Sequence, residues 1–227
     1  INLNNNDNLK LTNLYSDSSV YFPMLPDSLE LETSWLDIEN NNEDKLDTAF
    51  VVYNDPSNDS TDDIEIKSIT ELFSEYFQSE TGLRTFLSGT DALRSLDSDN
   101  NNIINSDDLL WNNLLLWFDD GDAISNSNEI YKINDFVSSI DLNTFEFIKK
   151  QPSWSSDNQI ISKISANPIN PSDNLYSLYD VGLNVNPSDS STIDLEITSD
   201  SLDHDYVKLI ENGDPVIFNF YSSESKN

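Results

Sequence analysis

The stretch from Asp97 to Glu129, DSDNNNIINSDDLLWNNLLLWFDDGDAISNSNE, organises the interpretation of the whole chain. It contains two acidic, asparagine-rich segments on either side of one apolar segment. In the first acidic segment, side-chain oxygens recur mostly at alternate positions, and a tight loop can direct such residues toward one point. The residues with this spacing are Asp97, Asp99, Asn101, Asn105 and Asp108.

These residues fall at positions 1, 3, 5, 9 and 12 of a twelve-residue loop of the EF-hand type, whose oxygen ligands bind calcium. Position 6 requires a positive φ, which Asn102 adopts more readily than most residues. Ile103 at position 7 would offer its backbone carbonyl, and Ile104 would point into the core. An Asx turn that caps a helix explains only one or two of these oxygens, so the spacing favours a calcium site.

The second acidic segment is less regular. Counting back from Glu129 as position 12 puts Phe118 at position 1, so Asp119 can be the first ligand only if the loop is one residue short. An acidic turn without calcium is the alternative. The predicted ligands of this second site are Asp119, Asp120, Asp122, Ile124 and Glu129.

A third candidate calcium loop has irregular spacing. Asp59, Thr61 and Asp63 alternate in a long acidic stretch, and Glu71 lies downstream. A solvated acidic loop without metal is the alternative interpretation.

Apolar periodicity predicts three helices. The first covers Ile69 to Phe77, the second is a short helix from Thr90 to Leu96, and the third runs from Ser106 to Trp117. Alternating or continuous apolar runs predict strands at 19–22, 49–53, 140–148, 159–165, 175–185, 193–197 and 216–221.

Composition excludes several classes of function. The 227 residues carry 42 acidic and 11 basic side chains, a net charge of −31, so nucleic acid and anionic membrane surfaces are poor partners. We find no apolar run long enough for a membrane span. The absence of cysteine excludes disulfides and thiolate metal sites. Divalent cations would relieve the repulsion among the acidic groups.

No constellation for side-chain catalysis is evident. The single histidine, His204, lies between two aspartates in SLDHDY, and no nucleophile accompanies it. There is no glycine-rich phosphate loop and no zinc-protease motif. We therefore expect a protein that is not an enzyme.

Several segments together resemble a known family. They are INLNNNDN, SVYF, Ser34-Trp35, DTAFVVYND, ELFSEYF, ALRSLDSDNNNIINSDDLLW, LLLWFDDGDAISNSNEI, SIDL and LYDVGL, in this order over residues 1 to 186. The set resembles the calcium-binding module of large secreted RTX-type bacterial proteins, and is similar to the self-processing module of FrpC-type proteins.

The resemblance implies a mixed α+β module that folds when it binds calcium. It also implies calcium-triggered cleavage of an Asp-Pro bond upstream of the module, with capture of the resulting anhydride by a lysine amine as an isopeptide bond. This chain has no Asp-Pro before Ile1, and asparagine replaces acidic ligands in its first loop. Asp55-Pro56 lies inside the module, which leaves Asp214-Pro215 as the candidate scissile bond.

These observations give one set of expectations. The fold class is α+β, with short strands and short helices around EF-hand-like calcium loops and a C-terminal β appendage. Residues 1–186 form the RTX-associated, EF-hand-like calcium-binding module, and residues 187–227 form a C-terminal β-strand extension.

We expect a Ca²⁺-stabilised structural or adhesive module of a large secreted or cell-surface bacterial protein. Its partners would be calcium ions and neighbouring modules or like subunits. A self-processing module and a calcium-dependent sugar- or peptide-binding module are the alternatives.

Overall fold

A computed structural model describes residues 1–3, 9, 11–12, 14, 19–24, 30–36, 48–55, 64–79, 82–83, 86–148 and 159–186. It also describes the backbone of 194–199, 205–211 and 214–219. The chain divides into two compact units, Ile1–Asn186 and Pro187–Asn227. Each unit is described by itself below.

The first unit consists mainly of short antiparallel strands, with one α-helix among its described residues. The α-helix is α1 (Gly89–Arg94), and three single turns of 3₁₀-helix occur at Ile69–Glu71, Trp111–Asn113 and Ile133–Asp135. The strands are β1 (Val20–Pro23), β2 (Glu30–Thr33), β3 (Phe50–Tyr53), β4 (Gln78–Ser79), β5 (Gly82–Leu83), β6 (Ile103–Asn105), β7 (Leu114–Trp117), β8 (Ile130–Lys132), β9 (Val137–Phe147), β10 (Gln159–Pro168) and β11 (Tyr176–Gly182).

The sheet β3-β7-β8 lies between two hydrophobic clusters. Its central strand, β7, is buried along its whole length. Leu114 and Leu116 belong to the first cluster, which is the main core, whereas Leu115 and Trp117 belong to the second cluster. This assignment follows from strand geometry, because successive side chains point to opposite faces of a sheet.

A second, four-stranded sheet has the order β11-β10-β9-β6. Strand β6 pairs with β9 in the register Ile104↔Ile140, and both of these side chains are fully buried. The short strand β6 therefore connects the first acidic segment to the main core.

The expected α+β fold class is wrong. The described residues are mostly antiparallel β-sheet with one short α-helix. An EF-hand requires a helix on each side of its loop. Here α1 precedes the first acidic loop, but a strand and a 3₁₀ turn follow it, so the acidic loops are not embedded in EF-hand pairs.

The helix predicted from Ser106 to Trp117 is also wrong. This segment forms a 3₁₀ turn at Trp111–Asn113 and then strand β7. A strand that is buried on both faces is apolar at every position. A continuous apolar run of this kind also contains residues at the spacing of a helical stripe, so periodicity alone does not distinguish the two structures. Pairing of Leu115 with both Val52 and Lys132 shows that β7 is a central strand.

The amphipathic helix predicted from Ile69 to Phe77 is reduced to the 3₁₀ turn Ile69–Glu71. Leu72 leaves the turn in an extended conformation and forms a bridge with Val52. Phe77 is buried in the first cluster, whereas Ile69 and Leu72 are buried in the second. The apolar residues of this segment therefore serve two cores, and one straight helix cannot do so.

The second unit contains the strands β12 (Asp194–Ser199), β13 (Asp205–Glu211) and β14 (Asp214–Asn219), which form an antiparallel sheet in the order β12-β13-β14. None of the helices among the described residues is long and apolar enough to cross a membrane.

Candidate metal centre

The first acidic loop, Asp97–Asp108, follows α1 and includes β6. At its start, the N–H of Asp97 donates to the carbonyl of Arg94, the last residue of α1 (3.2 Å). At its middle, the N–H of Leu142 in β9 donates to the carbonyl of Asn102 (2.9 Å). The loop is therefore connected by backbone hydrogen bonds to α1 and to β9.

Three carboxylates of this loop converge. Asp97, Asp99 and Asp108 each offer one oxygen, and these atoms lie within 4.8 Å of one another. Calcium binds oxygen at about 2.3–2.6 Å, so oxygens at this spacing can share one ion. The structure therefore brings together three of the residues predicted from the sequence, in a cluster that could hold a metal ion.

Backbone N–H groups hold all three carboxylates in place, and Asp99 accepts from Asn101 (3.1 Å). Asp97 accepts hydrogen bonds from Asn101 (3.1 Å) and Asn102 (2.8 Å). Asp108, which is 4% exposed, accepts from Ser98 (2.6 Å) and Asn105 (2.9 Å). The carboxylates at the first and last positions of the loop are thus oriented by the loop itself.

The other predicted ligands of the first loop face its own backbone. The side-chain oxygen of Asn101 accepts from the N–H of Ile103 (2.6 Å), and that of Asn105 accepts from Asp107 (2.7 Å). Ile103 belongs to β6, opposite Asp141 of β9. Asn101 also contacts the carboxylate cluster, because its side-chain nitrogen donates to Asp99 (2.9 Å).

Backbone turns with positive φ shape both acidic loops. Asn102 has a φ of 65°, as its place in the loop predicts, and Asn100 has a φ of 59°. In the second loop, Ala123 has a φ of 59° and Gly121 has a φ of 105°. Alanine is strained in this conformation, so the surrounding contacts hold Ala123 there.

The second acidic loop brings Asp119, Asp120 and Asp122 together, again with one oxygen from each within 4.8 Å of the others. The side chain of Phe118 is buried in the core, so Asp119 is the first side chain of this loop that can act as a ligand. Asp119 accepts hydrogen bonds from the N–H groups of Gly121 (3.0 Å) and Ala123 (2.9 Å).

Two other predicted ligands of this loop lie outside the three-carboxylate cluster. Glu129 accepts a hydrogen bond from the N–H of Asn126 (3.0 Å), and the carbonyl of Ile124 accepts from the Asn126 side chain (3.2 Å). Glu129 is buried, whereas the Ile124 side chain is exposed.

Both loops close with the same turn. The N–H of Asn105 donates to the Asp108 carboxylate, and the N–H of Asp108 returns a bond to the Asn105 carbonyl (3.0 Å). Asn126 and Glu129 make the equivalent pair of bonds, with the return bond at 2.9 Å. The two loops are therefore similar at their ends, although they differ at their starts.

Two tryptophans donate to the second loop. The indole N–H of Trp35 donates to Asp119 (2.6 Å), and that of Trp117 donates to Glu129 (3.3 Å). The two rings lie edge to face, with centroids 5.9 Å apart, and Phe22 and Phe50 pack against both. The second loop thus lies directly on an aromatic cluster.

Burial of Asp119 has an electrostatic consequence. Desolvation raises the pKa of the Asp119 carboxyl to about 7, and the charges of Asp122 and Glu129 add to this rise. Hydrogen bonds from Trp35 and Gly121 oppose it. A bound cation would supply the positive charge that these buried and crowded carboxylates need.

Of the four predicted ligands of the third candidate loop, the structure describes only Glu71. Glu71 accepts from the N–H groups of Lys67 (2.6 Å) and Ser68 (3.2 Å), and with Ser68 it forms a capping box at the 3₁₀ turn. Burial raises the pKa of its carboxyl. Asp59, Thr61 and Asp63 lie outside the described residues.

Asp214 and Pro215, the predicted scissile pair, begin β14, where Asp214 pairs with Glu211 and Pro215 with Ile210 of β13. His204 lies outside the described residues.

The two indole donors, Trp35 and Trp117, were not predicted from the sequence. The only sequence signal for them was Trp35 in the Ser34-Trp35 segment of the family resemblance.

Comparison with known proteins gives one positive result. No curated protein matches the sequence. The model of the SPM domain matches residues 2–170, about three quarters of the chain. That span includes both acidic loops, the sheet β3-β7-β8 and the strands β6, β9 and β10 of the four-stranded sheet, and the chain therefore belongs to the SPM domain family.

Proposed function

We propose that this protein is a calcium-stabilised structural module. The observation that supports the proposal is the convergence of three carboxylates in each of two loops. Bringing six carboxylates into two small volumes is unfavourable without cations, because like charges at short range repel. Binding of an ion in each loop removes that penalty only in the folded state.

Donor chemistry favours calcium among biological cations. The clusters contain only carboxylate oxygens, and a chain with no cysteine and one histidine has few soft ligands for zinc or copper. Magnesium requires near-ideal octahedral geometry, whereas calcium accepts six to eight oxygens in irregular arrangements. Loops of different length, with carbonyls and amide oxygens nearby, suit calcium better.

The positions of the two loops connect ion binding to folding. The first loop ends shortly before β7, and the second begins directly after it. Strand β7 contributes to both hydrophobic clusters. Ions that order the two loops would therefore fix both ends of the strand that the two clusters share.

Thermal unfolding followed by circular dichroism tests the proposal. The full chain is melted in 1 mM Ca²⁺, in 1 mM Mg²⁺, in NaCl of equal ionic strength and in chelator, with these concentrations set by the roughly micromolar-to-millimolar range of calcium sites. We expect the highest Tm in calcium, since a ligand of the native state stabilises it. Equal Tm values in calcium and in matched NaCl would overturn the proposal.

The wider role that we propose is a structural or adhesive unit of a large secreted or cell-surface bacterial protein, similar to the calcium modules of RTX-type proteins. The support is the ordered set of sequence segments and the net charge of −31. Self-processing at Asp214-Pro215 and binding of a sugar or peptide remain predictions. Intact-mass analysis after incubation with calcium would reveal cleavage as fragments that end at Asp214.

A further inference from the structure

A large open cavity lies in the first unit, away from both acidic loops. Its volume is about 660 Å³, within the range of about 300–1,000 Å³ that is typical of small-molecule sites. It is lined by residues of α1, of the segment that begins at the 3₁₀ turn Ile69–Glu71, and of β9, β10 and β11. Tyr76, Leu87, Phe145 and Phe147 line it and remain exposed, so its rim is apolar.

The cavity also contains a polar group at its base. Asp180 of β11 accepts a hydrogen bond from the backbone N–H of Thr90 (3.2 Å) and from the side chains of Ser88 and Thr90. The Thr90 and Ser162 hydroxyls are joined at 2.9 Å in a buried hydrogen bond. This network holds the Asp180 carboxylate in a defined position.

The cavity lining contains a second carboxylate. Glu75 lines the same cavity, and its charge acts on Asp180. Desolvation is the main cause that raises the pKa of Asp180, and the Glu75 charge adds to it. Two carboxylates, one half-buried and one exposed, thus line the same apolar-rimmed cavity.

The cavity lining contains no charged basic side chain among the described residues. Ser162 pairs with both Phe147 and Asp180, and these three residues line the cavity. In the next cross-strand row, Tyr179 also lines the cavity, whereas Lys163 does not and lies over the Tyr179 ring, 5.7 Å from its centroid. The amino group of Ile1, which is also in the lining, donates to the carbonyl of Ala49 (2.6 Å), and burial lowers its pKa to about 5.

We propose that this cavity binds an organic ammonium ion with an apolar body. The ammonium group would lie between Asp180 and Glu75, and the apolar body would lie against Phe145, Phe147 and Leu87. Aromatic rings favour such a ligand in two ways. They bury its apolar surface, and the ring face attracts its cationic group. The same chemistry occurs in free amines and in lysine side chains of peptides.

Titration of the full chain in saturating calcium tests this proposal. The probes are phenethylammonium, the neutral 2-phenylethanol and the anionic 3-phenylpropionate, followed by calorimetry and by ligand-observed NMR. We expect the ammonium probe to bind at least tenfold more tightly than the alcohol and the carboxylate not to bind. Equal affinity for the ammonium and the alcohol would overturn the proposal.

Matched variants distinguish binding of phenethylammonium in the cavity from non-specific attraction of a cation to an acidic protein. Glu75 and Glu146 are both exposed, but only Glu75 lines the cavity. We expect Glu75→Gln to weaken phenethylammonium binding at least fivefold and Glu146→Gln to leave it unchanged. Equal effects of the two variants would show non-specific electrostatic binding and would also overturn the proposal.

A further probe identifies the source of the ammonium group. Nα-acetyl-lysine methylamide presents the same group on a peptide backbone. Binding similar to that of phenethylammonium would indicate a lysine side chain of a peptide as the ligand, whereas binding of phenethylammonium alone would indicate a free amine. Either result supports the ammonium site. The proposal does not depend on calcium as the metal, because the cavity contains none of the cluster carboxylates.

Discussion

The indole nitrogen of Trp35 lies 2.6 Å from Oδ2 of Asp119, although the two residues are 84 positions apart in the chain. Both side chains are almost completely buried. A hydrogen bond to a buried carboxylate contributes more than a neutral one, because the unpaired charge would be costly. This contact connects the aromatic cluster to the first carboxylate of the second acidic loop.

Replacement of Trp35 by phenylalanine should therefore destabilise the fold. The variant keeps an aromatic ring but removes the donor to Asp119. Loss of this hydrogen bond should lower the free energy of unfolding by about 1.5–3 kcal/mol, in addition to the loss caused by the smaller ring. Urea unfolding in saturating calcium measures the change. Trp111→Phe, the same substitution in the other hydrophobic cluster, is the control for ring size. Equal losses in the two variants would show that the Trp35 donor contributes nothing.

Asp97→Asn tests the first acidic loop. The two Asp97 oxygens accept one N–H group each, from Asn101 and from Asn102, and asparagine keeps one oxygen for one of these donors while it removes one charge from the cluster. We expect calcium affinity to fall at least tenfold, about 1.4 kcal/mol. In chelator the variant should be as stable as the parent or more stable, because one of three repelling charges is gone.

The control for Asp97→Asn is Asp107→Asn in the same loop. Asp107 is exposed, and its carboxylate is not part of the cluster. Calorimetric titration with calcium should give parental affinity for this variant. If both variants bind calcium equally, the cluster of Asp97, Asp99 and Asp108 is not the binding site.

Asn102 provides a test of backbone strain. Its φ of 65° favours glycine over alanine, since the left-handed conformation costs a residue with a Cβ roughly 1–2 kcal/mol. We expect Asn102→Gly to be more stable than Asn102→Ala by about 1 kcal/mol. At the exposed Asn128, whose φ is not positive, the order should reverse, because glycine gains more entropy on unfolding. Urea midpoints of the four variants measure both differences.

Gly89→Ala should destabilise the protein even though alanine favours helices. A Cβ at Gly89 would lie 2.4 Å from the carbonyl oxygen of Phe73 and 3.2 Å from Asp180. Moving α1 away from this backbone should cost about 1–3 kcal/mol, more than the helix preference of about 1 kcal/mol can offset. Thermal unfolding would contradict this prediction if the variant had a higher Tm than the parent.

The geometry of the acidic loops is the part of the structure that the sequence could predict. Asp97 accepts from residues four and five positions ahead, and Asp108 from Asn105, three positions back. Such bonds depend on spacing along the chain and on the conformational preference of single residues such as Asn102. The convergence of Asp97, Asp99 and Asp108 was predictable for this reason.

Loop irregularity limited the prediction in the second segment. The sequence left open whether Asp119 or Phe118 begins the loop, and burial of Phe118 in the core decides this. Glu129 was predicted as a ligand beside the aspartates, yet it lies outside the three-carboxylate cluster and accepts from Trp117. That contact depends on where β7 places its indole ring.

The sequence by itself determined the acidic clusters, the left-handed turn at Asn102 and most of the strand-forming segments, because these follow from hydrogen bonds and periodicities within a few residues. Tertiary structure alone decided that the apolar segment 114–117 is a strand and that the segment from Ile69 to Phe77 serves two cores. It also decided the contact of Trp35 with Asp119 and the cavity between Glu75 and Asp180. The physical reason is that burial on two faces, and contacts between distant residues, depend on which elements pack together, and a local pattern that fits both a helix and a strand contains no information on that choice.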